Sequence, residues 1–465
     1  MDFIQSLQTK DTVTENGMPT HSTSFSSCVD LFFTIGAVRG QSPDRILNNF
    51  IKAFYEDKTV ALRILFWARD ARDGAGERNT FRIIFKWLCD NHPETITKNL
   101  QYVSYLGRWD DYLVAIGTKC ENEVMSMIKE ALDSGDQLCA KWMPRKGVIA
   151  NTLRKHFKMT PKEYRKLLVS NTNVVETHMC SKNWSAIDYS KVPSLAISRY
   201  TVAFKKNDIE RFASYLNDLS NGKTKVNTGA IYPYDVLKNV NNGELAQRQW
   251  ESLPNYLENC HDLVLPLVDV SGSMYTRVPN SNLMVIEIAT SLGVYISERN
   301  EGPFKNYFMT FSSAPQLVHT VGTLKDRLMQ MSRCDWGMNT NLIYVFSSML
   351  GHARKHNVSA SDMPTKILIF SDMEFDSCVD NPDNTAMESI KEEYSKYGYT
   401  LPKIVFWNLA SRHNNTPVKY NEDGTALVSG FSPSILKSIL SMKIANPHAI
   451  MMDTLNNYKY LGIMA

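Results

Sequence analysis

Residues 263–273 read LVLPLVDVSGS, an apolar strand that runs straight into a group of oxygen ligands. Leu263, Val264, Leu265, Leu267 and Val268 make a short continuous apolar run, the pattern of a strand buried on both faces. It ends in Asp269, Ser271, Gly272 and Ser273, which places a carboxylate and two hydroxyls in a turn at the strand's carboxyl end. Open α/β sheets put their ligands at that end. Hydroxyls and carboxylates bind soft metals poorly and suit Mg2+ or Mn2+, which prefer oxygen.

Two later segments extend this pattern. Residues 336–341, WGMNTN, form a polar turn before an apolar helical spacing (Leu342, Val345, Phe346, Met349, Leu350), so Thr340 offers a hydroxyl just ahead of a helix. Lys366 to Phe370 is a second strand of buried type, and it ends in Ser371 and Asp372. Strand-DVSGS, loop threonine and strand-SD, in this order, resemble the metal-ion-dependent adhesion site of the von Willebrand factor A domain. The resemblance runs roughly from Asn259 to Ala465, and all five ligand positions match. It implies a doubly wound α/β domain in which Ser271, Ser273 and Thr340 bind Mg2+ (or Mn2+) directly. Asp269 and Asp372 would act largely through water, and one metal position would stay open for a partner's Asp or Glu. Glu374 and Asp376 either tune the outer shell of that metal or only line its loop.

The rest of the chain sets bounds on function. At 465 residues it has room for two or three domains, and 43% hydrophobic with 21% charged residues is ordinary for a soluble globular protein. Eight scattered cysteines without a CxxC pair argue for reduced thiols rather than a zinc site or a disulfide framework. The start, MDFIQSLQTKDTVTENG, has no basic region followed by an apolar core, and no apolar run approaches the ~20 residues that span a bilayer. A cytoplasmic protein without membrane association is the expectation. No serine lies in a GxSxG elbow, no HExxH occurs, and no general base stands at a recognisable spacing, so an enzyme is not expected.

Residues 1–27 are polar and read as an N-terminal arm, 28–258 as an all-helical domain and 259–465 as the α/β domain. Ser42-Pro43-Asp44 starts a helix with a serine cap and proline at its first position, and Thr160-Pro161-Lys162-Glu163 is a capping box. Asp208 reads as the cap of a further helix through Phe212, Tyr215 and Leu216. Ten to twelve helices with short turns and no convincing strand before residue 260 suggest stacked helical repeats of the HEAT type. After residue 260 helices and strands alternate, so the fold class is α plus doubly wound α/β. Residues 69–78, RDARDGAGER, hold two glycines among six charges. They read either as a helix connection whose arginines pair with its own acids, or as a shaped loop presenting Arg69, Arg72 and Arg78 to a phosphate or to the α/β domain.

An all-helical front with a loop like RDARDGAGER and a junction like YLGRWDDY, ahead of an A-type domain, resembles an uncharacterised family of helical proteins with a C-terminal von Willebrand A domain. It is similar, more distantly, to the TROVE family, which includes the Ro ribonucleoprotein. That resemblance implies a helical ring closed by the A-type domain, with a basic surface that binds RNA. The residues carry their own footprint of this kind. Between Lys141 and Arg211 stand fifteen Lys or Arg against five Asp or Glu, in a chain whose net charge is only +3, so the remainder is acidic. Lys141, Arg145, Lys146, Arg154, Lys155, Lys158, Arg165 and Lys166 head this region, interleaved with Trp142, His156, Tyr164, His178, Trp184 and Tyr200. Such a mixture suits phosphate contact with stacking on unpaired bases, or else is a set of solvated helix faces. The sequence thus supports a metal-binding, RNA-binding scaffold. Its rival is a Mg2+-dependent protein-interaction adaptor, or a docking component of a larger assembly such as a virion or chaperone complex, without RNA.

Overall fold

The computed structural model describes residues 11–465 except 228–230, 259, 280, 312–314, 332, 334–340, 377–384, 414 and 442–445. The apolar run extends as expected: β3 (Val264–Asp269) is buried at every position and lies in the middle of a six-stranded sheet. With β4 (Tyr307–Phe311), β5 (Leu317–His319), β6 (Lys366–Ser371), β7 (Lys403–Asn408) and β8 (Thr425–Ser429), the order is β5-β4-β3-β6-β7-β8. All pairings are parallel except β4 with β5. Pro266 has no amide hydrogen for a ladder, yet it sits in this central strand. Pairing with β4 begins only at Leu267, opposite Met309, so the proline costs no bond on that side. The chain leaves β3 toward β4 and returns on the other side as β6, so a crevice opens beyond the carboxyl ends of β3 and β6.

Before residue 260 the chain is helical. Among the described residues, its strand content is β1 (Thr12–Val13) and β2 (Pro19–Thr20), a two-residue hairpin in what the sequence predicts as an irregular arm. Ser42 caps the helix Pro43–Glu56 by accepting from the Arg45 N–H, and Thr160 and Glu163 form the expected capping box on Pro161–Asn171. Asp208 precedes the helix Ile209–Ser220 without capping it, because its carboxylate accepts instead from Tyr189 Oη and Arg211. The last helix before β3 is Glu244–Glu251.

The two halves share one continuous apolar cluster, which runs from Met18 to Ile463. A smaller cluster around Tyr189, Phe204 and Phe212 sits under the helices of residues 187–245. The helix Ser27–Thr34 packs on β8, and Gly36 follows it against the Ser429–Gly430 backbone. A Cβ at Gly36 would stand 2.6 Å from the Gly430 nitrogen, so only glycine permits this approach. At the other end the chain returns to the helical half. Tyr460 Oη donates to Asp70 at 2.9 Å, and the Asn99 side chain exchanges hydrogen bonds with the Met464 backbone.

Candidate functional site

Asp269 ends β3 and Asp372 follows β6, so the parallel pairing of these two strands brings the two carboxylates to the same crevice. Both side chains are buried. Asp269 Oδ1 accepts from the Ser271 N–H at 2.9 Å and Oδ2 from the Ser371 hydroxyl at 2.5 Å. The Ser271 and Ser273 hydroxyl oxygens lie 2.9 Å apart on the turn that follows. Asp372 Oδ1 accepts weakly from the Glu374 N–H at 3.4 Å, whereas Oδ2 is buried and makes no hydrogen bond. That oxygen faces Arg412 Nη2 at 3.4 Å. Thr340 lies outside the described residues.

The electrostatics follow from burial. Loss of water, and then the neighbouring Asp372, push the Asp269 carboxyl up to about 7, against the hydrogen bonds from Ser371 and Ser271. Asp372 is raised as well, by burial above all, with the Ser273 hydroxyl and the Arg412 guanidinium opposing. Two dry carboxylates that resist joint ionisation, one with an oxygen that makes no hydrogen bond, beside a pair of converging hydroxyls, form a donor set that fits a hard divalent cation. Ser271 and Ser273 would hold it, with Asp269 and Asp372 supplying the negative charge.

Several partners at this site had no signal in the sequence. Glu374 is buried, and its negative charge adds to the upward push on Asp372. It accepts from the Glu15 N–H at 2.6 Å and Asn415 Nδ2 at 2.9 Å, and meets His413 Nδ1 at 3.0 Å. Glu15, Asn415, His413 and Arg412 come from the arm and from the loop after β7, and no short motif joins those segments to β3. Asp376 forms a bridge with Gly17 of the arm, so this carboxylate segment anchors the arm.

The RDARDGAGER loop is internal architecture. Arg69 is buried and paired with Asp111 at 2.7 Å, which withdraws it from any phosphate outside. Neither sequence reading anticipates the pairing, because the loop's charges find partners in other segments: Glu77 with Arg39 at 2.6 Å and Asp73 with Lys437 at 2.8 Å. Arg72 and Arg78 remain at the surface.

In the basic region the helices Gly147–His156 and Pro161–Asn171 pack against each other. Lys146, Lys155, Lys158, Arg165 and Lys166 are exposed. Lys141 is drawn to Glu176 at 3.3 Å, Arg145 donates to Thr172 Oγ1 at 3.3 Å and Arg154 to Asn151 at 3.0 Å. The predicted stacking residues are mostly committed elsewhere. Tyr164 is buried with its hydroxyl on the Pro144 carbonyl, Tyr200 donates to Glu176, and the Arg108 guanidinium covers the Trp142 ring at 3.7 Å. His156 remains exposed.

Fold and site together define a two-part protein, a helical half fused to an open, mostly parallel sheet with an acidic crevice at its switch point. Residues 14–113 and 124–263, more than half of the chain, match the family model of a domain of unknown function (DUF2828), and the chain belongs to that family. Residues 264–458, from the first residue of β3 onward, match a second domain of unknown function (DUF7788). An uncharacterized protein of Acanthamoeba polyphaga mimivirus is 29% identical over 507 residues, which cover 96% of this chain and 87% of that protein. Among solved structures, the crystal structure of the Deinococcus radiodurans Ro (RSR) protein aligns over 92% of this chain and 99% of its own. Its sequence identity is 13% and its TM-score 0.40.

Proposed function

We propose that this chain is a non-enzymatic scaffold that binds a divalent cation in the Asp269/Asp372 crevice and RNA on its basic helices. The cation reading is carried by the buried carboxylate pair, whose Asp372 Oδ2 makes no hydrogen bond. Ser271 and Ser273 supply the hydroxyl ligands, Asp269 and Asp372 the charge, and Thr340 the fifth position, in the manner of the von Willebrand A domains that the sequence resembles. Mg2+ or Mn2+ is the expected ion. Its role is to bind charge at the crevice and hold it in shape.

The RNA reading is supported by Lys155, Arg165 and Lys166, exposed on two adjoining helices, and Lys158, exposed in the turn between them; none takes part in an ion pair among the described residues. Free cations of this kind bind phosphate, and with most of the nearby rings occupied, contact with the RNA backbone outweighs base stacking. The test is titration of a fluorescent single-stranded RNA at several salt concentrations. Replacing Lys155, Lys158, Arg165 and Lys166 together by Glu is expected to weaken binding at least tenfold. The slope of log K against log salt should become shallower by about 2–3, the share of four phosphates on a single strand. An unchanged affinity and slope would retire the RNA reading and favour the adaptor, in which the cation takes a partner protein's carboxylate.

A further inference from the structure

Arg412 lies on the loop after β7, with its guanidinium wedged between the cation crevice and the N-terminal arm. Nη2 donates to the Ser273 carbonyl and to Thr276 Oγ1 at 3.2 Å, and stands 3.4 Å from the orphaned Asp372 Oδ2. Nη1 stands 3.4 Å from Glu15 Oε2 on the arm. One positive group therefore joins a buried carboxylate inside the site to an exposed carboxylate outside it. The arm is seated on the same two loops that frame the crevice. Thr14 Oγ1 donates to the Phe375 carbonyl at 2.5 Å, the Glu15 N–H to Glu374 at 2.6 Å and Asn16 Nδ2 to the Glu374 carbonyl at 2.8 Å. His21 and Thr416 exchange backbone hydrogen bonds on the other loop. The Arg412 loop is also held from the helical half, where the Ser411 N–H donates to the Ala37 carbonyl at 3.0 Å.

We propose that Arg412 is a tethered counter-cation which competes with the divalent ion for Asp372 and so couples occupancy of the crevice to the seating of the arm. This rests on the cation reading above. With no ion bound, the guanidinium is the positive charge facing Asp372, and its second nitrogen holds Glu15 in place. A divalent ion at Ser271 and Ser273 puts two further positive charges next to the guanidinium, and like charges at this separation in a dry site repel strongly. Arg412 then gives up Asp372 and the Ser273 carbonyl, and the arm loses the contact through Glu15. By linkage, the arm and the ion must oppose each other to the same extent.

The experiment uses the full chain, with Mn2+ as the probe, in two measurements. Mn2+ affinity is read from the paramagnetic signal of the free ion, and arm seating from amide hydrogen exchange over residues 12–21. Arg412→Gln is expected to bind Mn2+ about tenfold tighter than the parent chain, a change of ~1.4 kcal/mol, and to show a fast-exchanging arm with or without the ion. Arg412→Lys keeps the charge and should stay within about twofold of the parent. In the parent chain Mn2+ should raise arm exchange several-fold. Arg412→Met repeats the test with a longer aliphatic stem if the glutamine variant is unstable by circular dichroism. Equal or weaker Mn2+ binding by the uncharged variants overturns the competition, and tighter binding with an unmoved arm overturns the coupling. If neither the parent nor any variant binds Mn2+, the cation reading itself falls, and this inference falls with it.

Discussion

Replacing Asp269 by Asn should stabilise the metal-free protein, and Mg2+ should offset most of that advantage by stabilising the parent alone. Asp269 is buried and its carboxyl is pushed from an ordinary 3.8 up to about 7, roughly three pH units. At ~1.4 kcal/mol per unit, ionising it in the folded chain costs roughly 4 kcal/mol above pH 7. The sign follows from proton binding. Between about pH 4 and 7 the folded chain holds a proton that the unfolded chain has released, so stability falls as pH rises through that window. Asn removes the charge and keeps the geometry, with Oδ1 still accepting the Ser271 N–H and Nδ2 facing a Ser371 hydroxyl that can turn to accept. In EDTA at pH 8 the variant should therefore be more stable by about 2–4 kcal/mol in urea denaturation, and at pH 4 the two proteins should converge. Mg2+ at a hundred times its Kd should add ~2.7 kcal/mol to the parent and almost nothing to the variant. A variant less stable than the parent in EDTA at pH 8, or one that gains as much from Mg2+, would refute the reasoning.

Other perturbations probe the frame around the site. Asp235, pushed up to about 6 by burial despite the Tyr232 N–H, should behave in the same direction. Asp235→Asn is expected to gain up to ~3 kcal/mol at pH 8, with the gain vanishing near pH 4, as read by denaturation across pH. Asp111 accepts from Arg69 and Arg82 at 2.7 Å each and from the Arg108 N–H at 2.9 Å, all at a fully buried carboxylate. Asp111→Ala leaves Arg69 buried without a partner, and a loss of about 3–5 kcal/mol should appear in urea midpoints. Gly36→Ala drives a methyl into the Gly430 backbone, so a loss of roughly 1–3 kcal/mol is expected, with faster amide exchange in β8.

The crevice was legible because its two ends are strand ends. Both β3 and β6 are short, apolar and closed by an acid, a parallel sheet puts such ends on one edge, and the observed pairing of the two strands sets Asp269 and Asp372 side by side. β8 escaped notice since TALVS is too short and too mixed to show a period, and β5 since an edge strand that buries only Val318 carries little apolar signal. Charges were harder. The sequence places six of them in RDARDGAGER, but whether Arg69 faces water or Asp111 depends on a helix packing 42 residues away. The same holds for Arg412, whose contacts with Glu15, Ser273 and Asp372 are all more than thirty residues distant in the chain. Local patterns find groups that act with their neighbours, and they miss groups that act across the fold.

That distinction bears on how the two halves work together. The acidic crevice belongs to the sheet, but the groups that close around it arrive from elsewhere: the arm brings Glu15 to Arg412 and Glu374, and the segment after the first helix brings Ala37 to Ser411. The C-terminal residues make the reciprocal crossing, with Tyr460 on Asp70 and Arg63 donating to the Leu461 carbonyl. Each half thus completes the other, and one apolar cluster runs through both. In the proposed coupling, a change in charge at Asp372 is transmitted without a long relay. It passes through one guanidinium to the arm, and through the Arg412 loop to the segment that joins the first two long helices of the helical half.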